Sequence, residues 1–245
     1  MKAMILAAGF GERLRPLTET TPKPLLSVGG KPLIQYHIER LAAAGVREIV
    51  INTSWLGEQI EAFVGDGCRF GVRVAWSRER EPLETGGGIR RALPLLGSDP
   101  FLVINGDVWT DYPLERLVTR EWPEAVDARL ILVPNPPFKR SGDFVLDELD
   151  RVGYPDCGGG RKTYTFSGIS VMRPEIFALY PAASERFPLR DVLQSSVRAL
   201  SITGEVYDGQ WWDVGTLERL NMLDSLLAGR GIDIGKKPRM RAESA

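Results

Sequence analysis

A single histidine and two cysteines among 245 residues leave little room for several common chemistries. A structural zinc centre takes about four Cys or His ligands, whereas Cys68, Cys157 and His37 are all this chain offers. Any Ser-His-Asp or Cys-His nucleophile would have to recruit His37, which lies in PLIQYHIERLAAAG, a stretch whose apolar spacing reads as an amphipathic helix packed on the body. Two isolated cysteines make no disulfide framework and point to a reducing cytoplasm. Long apolar runs are missing as well, since residues 3–8 (AMILAA) give way at once to glycine and charge, too short for a secretion signal or a membrane span. Charge of one sign is also missing: 31 Lys and Arg stand against 32 Asp and Glu, so bulk charge points to neither nucleic acid nor membrane as a partner. Any enzymatic chemistry must therefore run on carboxylates, lysine, arginine and backbone amides.

What the sequence does have is alternation. Apolar, β-branched runs at residues 3–8, 48–53, 72–76 and 101–105 read as buried strands, and residues 32–44, 56–64 and 88–96 between them read as helices. This order marks an α/β chain with a doubly wound, parallel sheet. Further along, 128–133, 163–172 and 201–207 read as strands, and 188–200 and 216–228 as helices, interrupted by Pro- and Gly-rich stretches. Mixed strand directions are expected there, in elements that build a pocket. The length suits one large domain. The end, 229–245, carries Arg230, Lys236, Lys237, Arg239 and Arg241 against Asp233 and Glu243, and is expected to be a flexible basic tail.

Three motifs carry candidate chemistry. Strand 3–8 runs into Gly9-Phe10-Gly11-Glu12-Arg13 and, after Pro16, into Pro22-Lys23-Pro24. In an open α/β sheet ligands sit beyond the carboxyl ends of the strands; glycines there let backbone N–H groups approach phosphate oxygens, with Arg13 and Lys23 as fixed charges. A tight strand exit is the plainer alternative. Leu14 stands where a dinucleotide fingerprint wants a third glycine, and no Gly-Lys-Ser/Thr run is present, so neither well-known phosphate loop fits. The second motif is a pair of aspartates, Asp107 after FLVING and Asp213 in WWDVGT, each of which could instead cap a turn or precede a helix. The third is Glu81-Pro82-Leu83-Glu84-Thr85-Gly86-Gly87-Gly88, a loop that opens a helix.

Leu6-Ala7-Ala8-Gly9-Phe10-Gly11-Glu12-Arg13-Leu14-Arg15-Pro16 followed by Pro22-Lys23-Pro24, Asn105-Gly106-Asp107 and Trp212-Asp213-Val214-Gly215-Thr216 together resemble the signature of the sugar-nucleotide pyrophosphorylases, nucleotidyltransferases that join a sugar 1-phosphate to a nucleoside triphosphate. The resemblance covers about residues 1–228. It implies a Rossmann-like, GT-A-type fold with a mixed, mostly parallel sheet flanked by helices, in one domain whose nucleotide-binding half spans about 1–107 and sugar-binding half about 108–228. It implies that Ala8, Gly9, Gly11, Glu12, Arg13 and Lys23 hold the triphosphate, that Glu81 and Gly86 hold the base, and that Asp107 and Asp213 hold Mg²⁺ at the α-phosphate. Asn105, Gly142, Asp143 and Ser167 would face the sugar. A Glu81 carboxylate accepts the N3–H of uracil or thymine, so a pyrimidine triphosphate is expected, UTP first. The Glu-Lys-Pro element whose lysine binds the sugar phosphate in many relatives is missing between Arg140 and Thr163; Lys139, Arg140 and Lys162 stand as substitutes. Related pairs, glucose 1-phosphate with dTTP or mannose 1-phosphate with GTP, and a non-catalytic sugar-nucleotide regulator remain as alternatives.

Overall fold

A computed structural model describes residues 1–119, 122–155, 160–178, 180 and 184–229; the basic tail beyond Gly229, Cys157 and the glycines at 158 and 159 lie outside these. The chain opens with β1 (Ala3–Leu6), a glycine loop, a short helix α1 (Leu17–Thr20) and the small ribbon of β2 (Ser27–Val28) and β3 (Lys31–Pro32). Next come α2 (Leu33–Ala43), β4 (Glu48–Thr53), α3 (Gly57–Val64), β5 (Arg73–Arg78), α4 (Glu84–Leu96) and β6 (Phe101–Asn105). The later part contributes β7 (Val108–Thr110), α5 (Glu115–Val118), β8 (Ala128–Pro134), β9 (Phe144–Leu146), β10 (Val152–Gly153), β11 (Thr163–Met172), α6 (Leu189–Arg198), β12 (Ile202–Val206), β13 (Trp211–Asp213) and α7 (Leu217–Ala228).

One mixed sheet of nine strands organises the molecule. Strands β5, β4, β1 and β6 are parallel, with Ala3 opposite Ile49 on one side and Leu102 on the other. Here β11 turns the direction: it runs antiparallel to β6, Met172 opposite Phe101, and antiparallel to β8, while β12 lies parallel to β8. At its other end β11 pairs with β9, and β9 with β10. Alternate residues feed two faces. Met4 and Val103 join one apolar cluster with residues of α4 and α6, and Ala3, Ile5, Leu102 and Ile104 join another with residues of α2 and α3. Burial on both faces is why these strands read as continuous apolar runs. A third cluster of Leu14, Leu33, Tyr36, Trp109, Val214, Leu220 and Leu223 docks α7 beside the glycine loop. Among the described residues, no helix is long and apolar enough to cross a membrane.

Candidate active site

A cleft of about 510 Å³ opens at the carboxyl ends of β1 and β6. Ala8, Gly9, Gly11, Glu12, Arg13 and Lys23 line it together with Asn105 and Asp107, so the glycine loop and the first aspartate share one space. At Gly11 the backbone takes φ 67°, and an added Cβ would lie 2.8 Å from Thr18 Cγ2, so both conformation and space demand glycine. The turn is tied by Thr18 Oγ1, which donates to the Gly11 carbonyl at 2.9 Å, and by Leu14 N, which donates to the same oxygen at 2.8 Å. At Gly9, by contrast, an added Cβ would meet nothing within 4 Å. Arg13 reaches the cleft wall without a hydrogen-bond or ion-pair partner among the described residues.

The two aspartates are brought together by a ribbon that the sequence pattern does not announce. Gly106 N donates to the Leu6 carbonyl at 2.9 Å, an approach a Cβ on Gly106 would block. Asp107 follows, and its carbonyl accepts from Val214 N at 2.8 Å. Antiparallel pairing of β7 with β13 sets Asp213 opposite Val108, one residue from Asp107. Each carboxylate already faces a cation: Lys23 Nζ lies 2.7 Å from Asp107 Oδ2, and Arg219 Nη1 lies 3.4 Å from Asp213 Oδ2. Gly215 is squeezed between Arg219, Arg13 Nη2 and Asp213 Oδ1, the last two each 2.9 Å from where a Cβ would sit. Beneath this turn His37 is buried at 3% exposure. Burial, helped by the nearby Arg40 cation, pulls its pKa down to about 4 against the opposing pull of Asp107 and the Gly106 and Val108 carbonyls. A neutral, enclosed imidazole supports the turn rather than attacking substrate.

Two further cleft residues, Asn52 and Glu79, escaped the sequence reading. Ala7 N donates to Asn52 Oδ1 at 2.8 Å, Asn52 Nδ2 donates to Glu79 Oε1 at 2.7 Å, and Leu83 N donates to Glu79 Oε2 at 2.9 Å. This brace fastens the ends of β1, β4 and β5 to the loop before α4, and burial raises the Glu79 pKa. The available signal was their place at the strand ends, where ligands gather. Glu81 is exposed and lies outside the cleft lining, and Gly86 is buried with its N–H on the Phe187 carbonyl. Glu84, at φ 61°, and Thr85 line the cleft instead.

The expected sugar-side residues form a neighbouring group. Asp143 is held by Lys139 Nζ at 2.6 and 2.5 Å and by Phe166 N at 2.9 Å. Asn135 stitches this loop to β11 through Thr163 and Thr165, and a Cβ on Gly142 would strike the Tyr164 backbone. Ser167 is buried in an irregular stretch of β11, where Trp211 Nε1 donates to its carbonyl at 2.8 Å. Gly168, at φ 83°, packs directly on the Asn105 side chain and so links this group to the cleft.

Comparison with known proteins places this geometry in context. Residues 2–227 match the model of the nucleotidyl transferase family. An N-acetylmuramate alpha-1-phosphate uridylyltransferase of Neisseria meningitidis is 51% identical over 92% of this chain and 98% of its own length. The enzyme of the same name from Caulobacter vibrioides is 36% identical over 87% and 91%. A mannose-1-phosphate guanyltransferase of Aspergillus fumigatus is 32% identical over 88% of this chain but only 61% of its own. Among solved structures, a Bacillus anthracis protein described as a glucose-1-phosphate thymidylyltransferase and solved with sucrose superposes with a TM-score of 0.84 at 25% identity, covering 96% and 98% of the two chains.

Proposed function

The chain belongs to the nucleotidyl transferase family, and from that membership we propose that it transfers a uridylyl group from UTP to N-acetylmuramate 1-phosphate, giving UDP-N-acetylmuramate and pyrophosphate, a step that serves peptidoglycan recycling. One observation carries the mechanism: the glycine loop, Arg13 and the Lys23–Asp107 pair at 2.7 Å line one cleft at the strand ends, and the β7–β13 ribbon sets Asp213 beside the Asp107 turn. The 51% identical relative with nearly the same chain length supports the substrate pair over mannose 1-phosphate with GTP.

The donor set fits a hard divalent cation. Two carboxylates, here one in the turn before β7 and one at the end of β13, together with phosphate oxygens and water, are a usual ligand set for Mg²⁺. We assign Asp107 and Asp213 to it; when bound, it would neutralise charge on the α-phosphate. The protein's own groups do the rest. Residues 9–13 offer backbone N–H groups and the Arg13 guanidinium to the β- and γ-phosphates, and Lys23, freed from Asp107, offers its ammonium to the reacting phosphates. An oxygen of the sugar phosphate attacks the α-phosphorus in line, the bond to the bridging oxygen breaks, and pyrophosphate leaves. A phosphate monoester has a second pKa near 6, so the nucleophile is already ionised at pH 7 and no general base is required. That is why a chain with one buried histidine can run this reaction. We assign acceptance of the uracil N3–H to Glu79, a cleft residue whose carboxylate is oriented by Asn52 and Leu83.

The reading is tested by measuring pyrophosphate release with a panel of sugar 1-phosphates against UTP, dTTP and GTP. UTP with N-acetylmuramate 1-phosphate is expected to give the highest kcat/KM, and a preference for GTP would overturn the assignment. Asp107→Asn and Asp213→Asn are expected to lose about a hundredfold or more in kcat while remaining folded. Retention of activity in both would remove the two-aspartate mechanism.

A further inference from the structure

We propose that Arg219, in the first turn of α7, is the cation that takes the phosphate of the incoming sugar 1-phosphate. The inference rests on the function proposed above. A phosphate dianion brought against a polyphosphate needs a cation of its own, and the lysine-bearing element that many relatives use is missing from this chain. The obvious substitutes are engaged or exposed: Lys139 is bound to Asp143, Lys162 lies over the Tyr164 ring, and Arg140 is exposed.

Arg219 is differently placed. Its side chain is 13% exposed, and its Nε is buried without a hydrogen-bond partner. Its guanidinium lies 4.1 Å beneath the ring of Phe138, on the loop that leads to Gly142 and Asp143. Its Nη2 reaches Gly215 in the cleft wall, as does Arg13 Nη2. Arg219 Nη1 pairs with Asp213 at 3.4 Å, long for a charged hydrogen bond, whereas Arg13 has no ion-pair partner among the described residues. Arg13 and Arg219 thus crowd Gly215 with one carboxylate, Asp213, beside them, which leaves a net positive charge where the nucleotide loop meets Phe138 of the sugar-side loop. Were Asp213 to hold a divalent cation, Nη1 of Arg219 would be released from it and both terminal nitrogens would be available. Their fork matches two oxygens of a phosphate. Phe138 holds the plane of that fork from above.

The test is Arg219→Gln and Arg219→Lys, read by separate KM values for UTP and for the sugar phosphate. Calorimetric binding of N-acetylmuramate 1-phosphate and of N-acetylglucosamine 1-phosphate, which lacks the lactyl carboxylate, adds a readout independent of turnover. Arg219→Gln is expected to weaken both sugar phosphates about tenfold or more, with the KM for UTP within about twofold of the parent and partial recovery in Arg219→Lys. Equal weakening of UTP, or no change in sugar-phosphate binding, overturns the proposal. So does a loss confined to N-acetylmuramate 1-phosphate, which would assign Arg219 to the carboxylate. If Arg219→Gln fails to fold, Arg219→Lys decides: weakening of both sugar phosphates alone supports the role, and unchanged binding defeats it. A parent enzyme that binds these sugar phosphates yet transfers uridylyl to none would defeat the proposed function while leaving the role of Arg219 readable from calorimetry.

Discussion

His37 carries a consequence for stability that can be measured apart from activity. An unfolded histidine titrates near 6.5, whereas burial pulls the folded imidazole down to about 4. Between these values the unfolded chain binds more protons than the folded one, so stability falls as pH drops from 6.5 toward 4 and is untouched above 6.5. Over the whole window the loss is about 3 kcal/mol. Urea unfolding at pH 7.5 and pH 5 should therefore show the parent losing about 2 kcal/mol more than His37→Gln. Equal losses would mean that the imidazole is not the group responsible. The residue was legible as structural because it sat on the apolar face of a helical pattern. Gly11 was legible too, as a glycine after a strand, but not its reason: the methyl of Thr18, seven residues on, occupies the space a side chain would need. Arg219 left no trace, because its neighbours Asp213, Gly215 and Phe138 come together only in the fold.

At the level of elements, β6 runs between the residues at which its apolar run begins and ends, because burial on both faces writes itself into sequence, and β11 likewise spans the 163–172 read from the sequence. The start of α4 does not. Each glycine inside a helix weakens it by about 1 kcal/mol relative to alanine, so the pattern begins a helix only at Gly88. The structure begins it at Glu84 because Gly86 N and Gly87 N both donate to the Phe187 carbonyl, and a Cβ on either would strike Phe187 or the Glu185 carbonyl. The determining contacts are about a hundred residues away, where no local pattern can register them. The ribbon of β7 and β13 is similar: three residues a side, with no alternation long enough to read. It is held from below by Arg40 of α2, whose terminal nitrogens donate to the carbonyls of Thr110 and Tyr112. Arg40→Met would leave those oxygens unpaired and is expected to lower stability by about 2–3 kcal/mol. On the metal role proposed for Asp107 and Asp213, which this ribbon sets side by side, the Mg²⁺ concentration for half-maximal activity is expected to rise as well. A variant that is less stable but needs no more Mg²⁺ would separate the ribbon from the site.

For the molecule as a whole, the expected nucleotide half (1–107) and sugar half (108–228) share one sheet and one apolar cluster. The seam between them is the β6–β11 pair, where Ile104 faces Ile169 and Met172 faces Phe101. One apolar cluster joins Met4, Val50 and Ile89 from the first half to Leu130, Val192 and Ile202 from the second. The polar side of the same seam is the cleft, where Gly168 packs on Asn105 and Asp213 sits beside the Asp107 turn. Cutting after Asp107 would expose the edge of β6 and one face of α4, a long unpaired apolar edge of the kind that aggregates. We therefore expect the chain to unfold in urea as one cooperative transition, with tryptophan fluorescence and far-UV circular dichroism giving the same midpoint. Residues 1–107 alone should show neither a cooperative transition nor UTP binding. UTP should raise the midpoint of the intact chain by the same amount in both signals, because ligand bound by one half stabilises all of a cooperative unit. A fragment 1–107 that melts sharply and binds UTP would show that the nucleotide half folds by itself. The antiparallel extension around β11 would then be an attachment, and the sugar side could be exchanged without unfolding the nucleotide site.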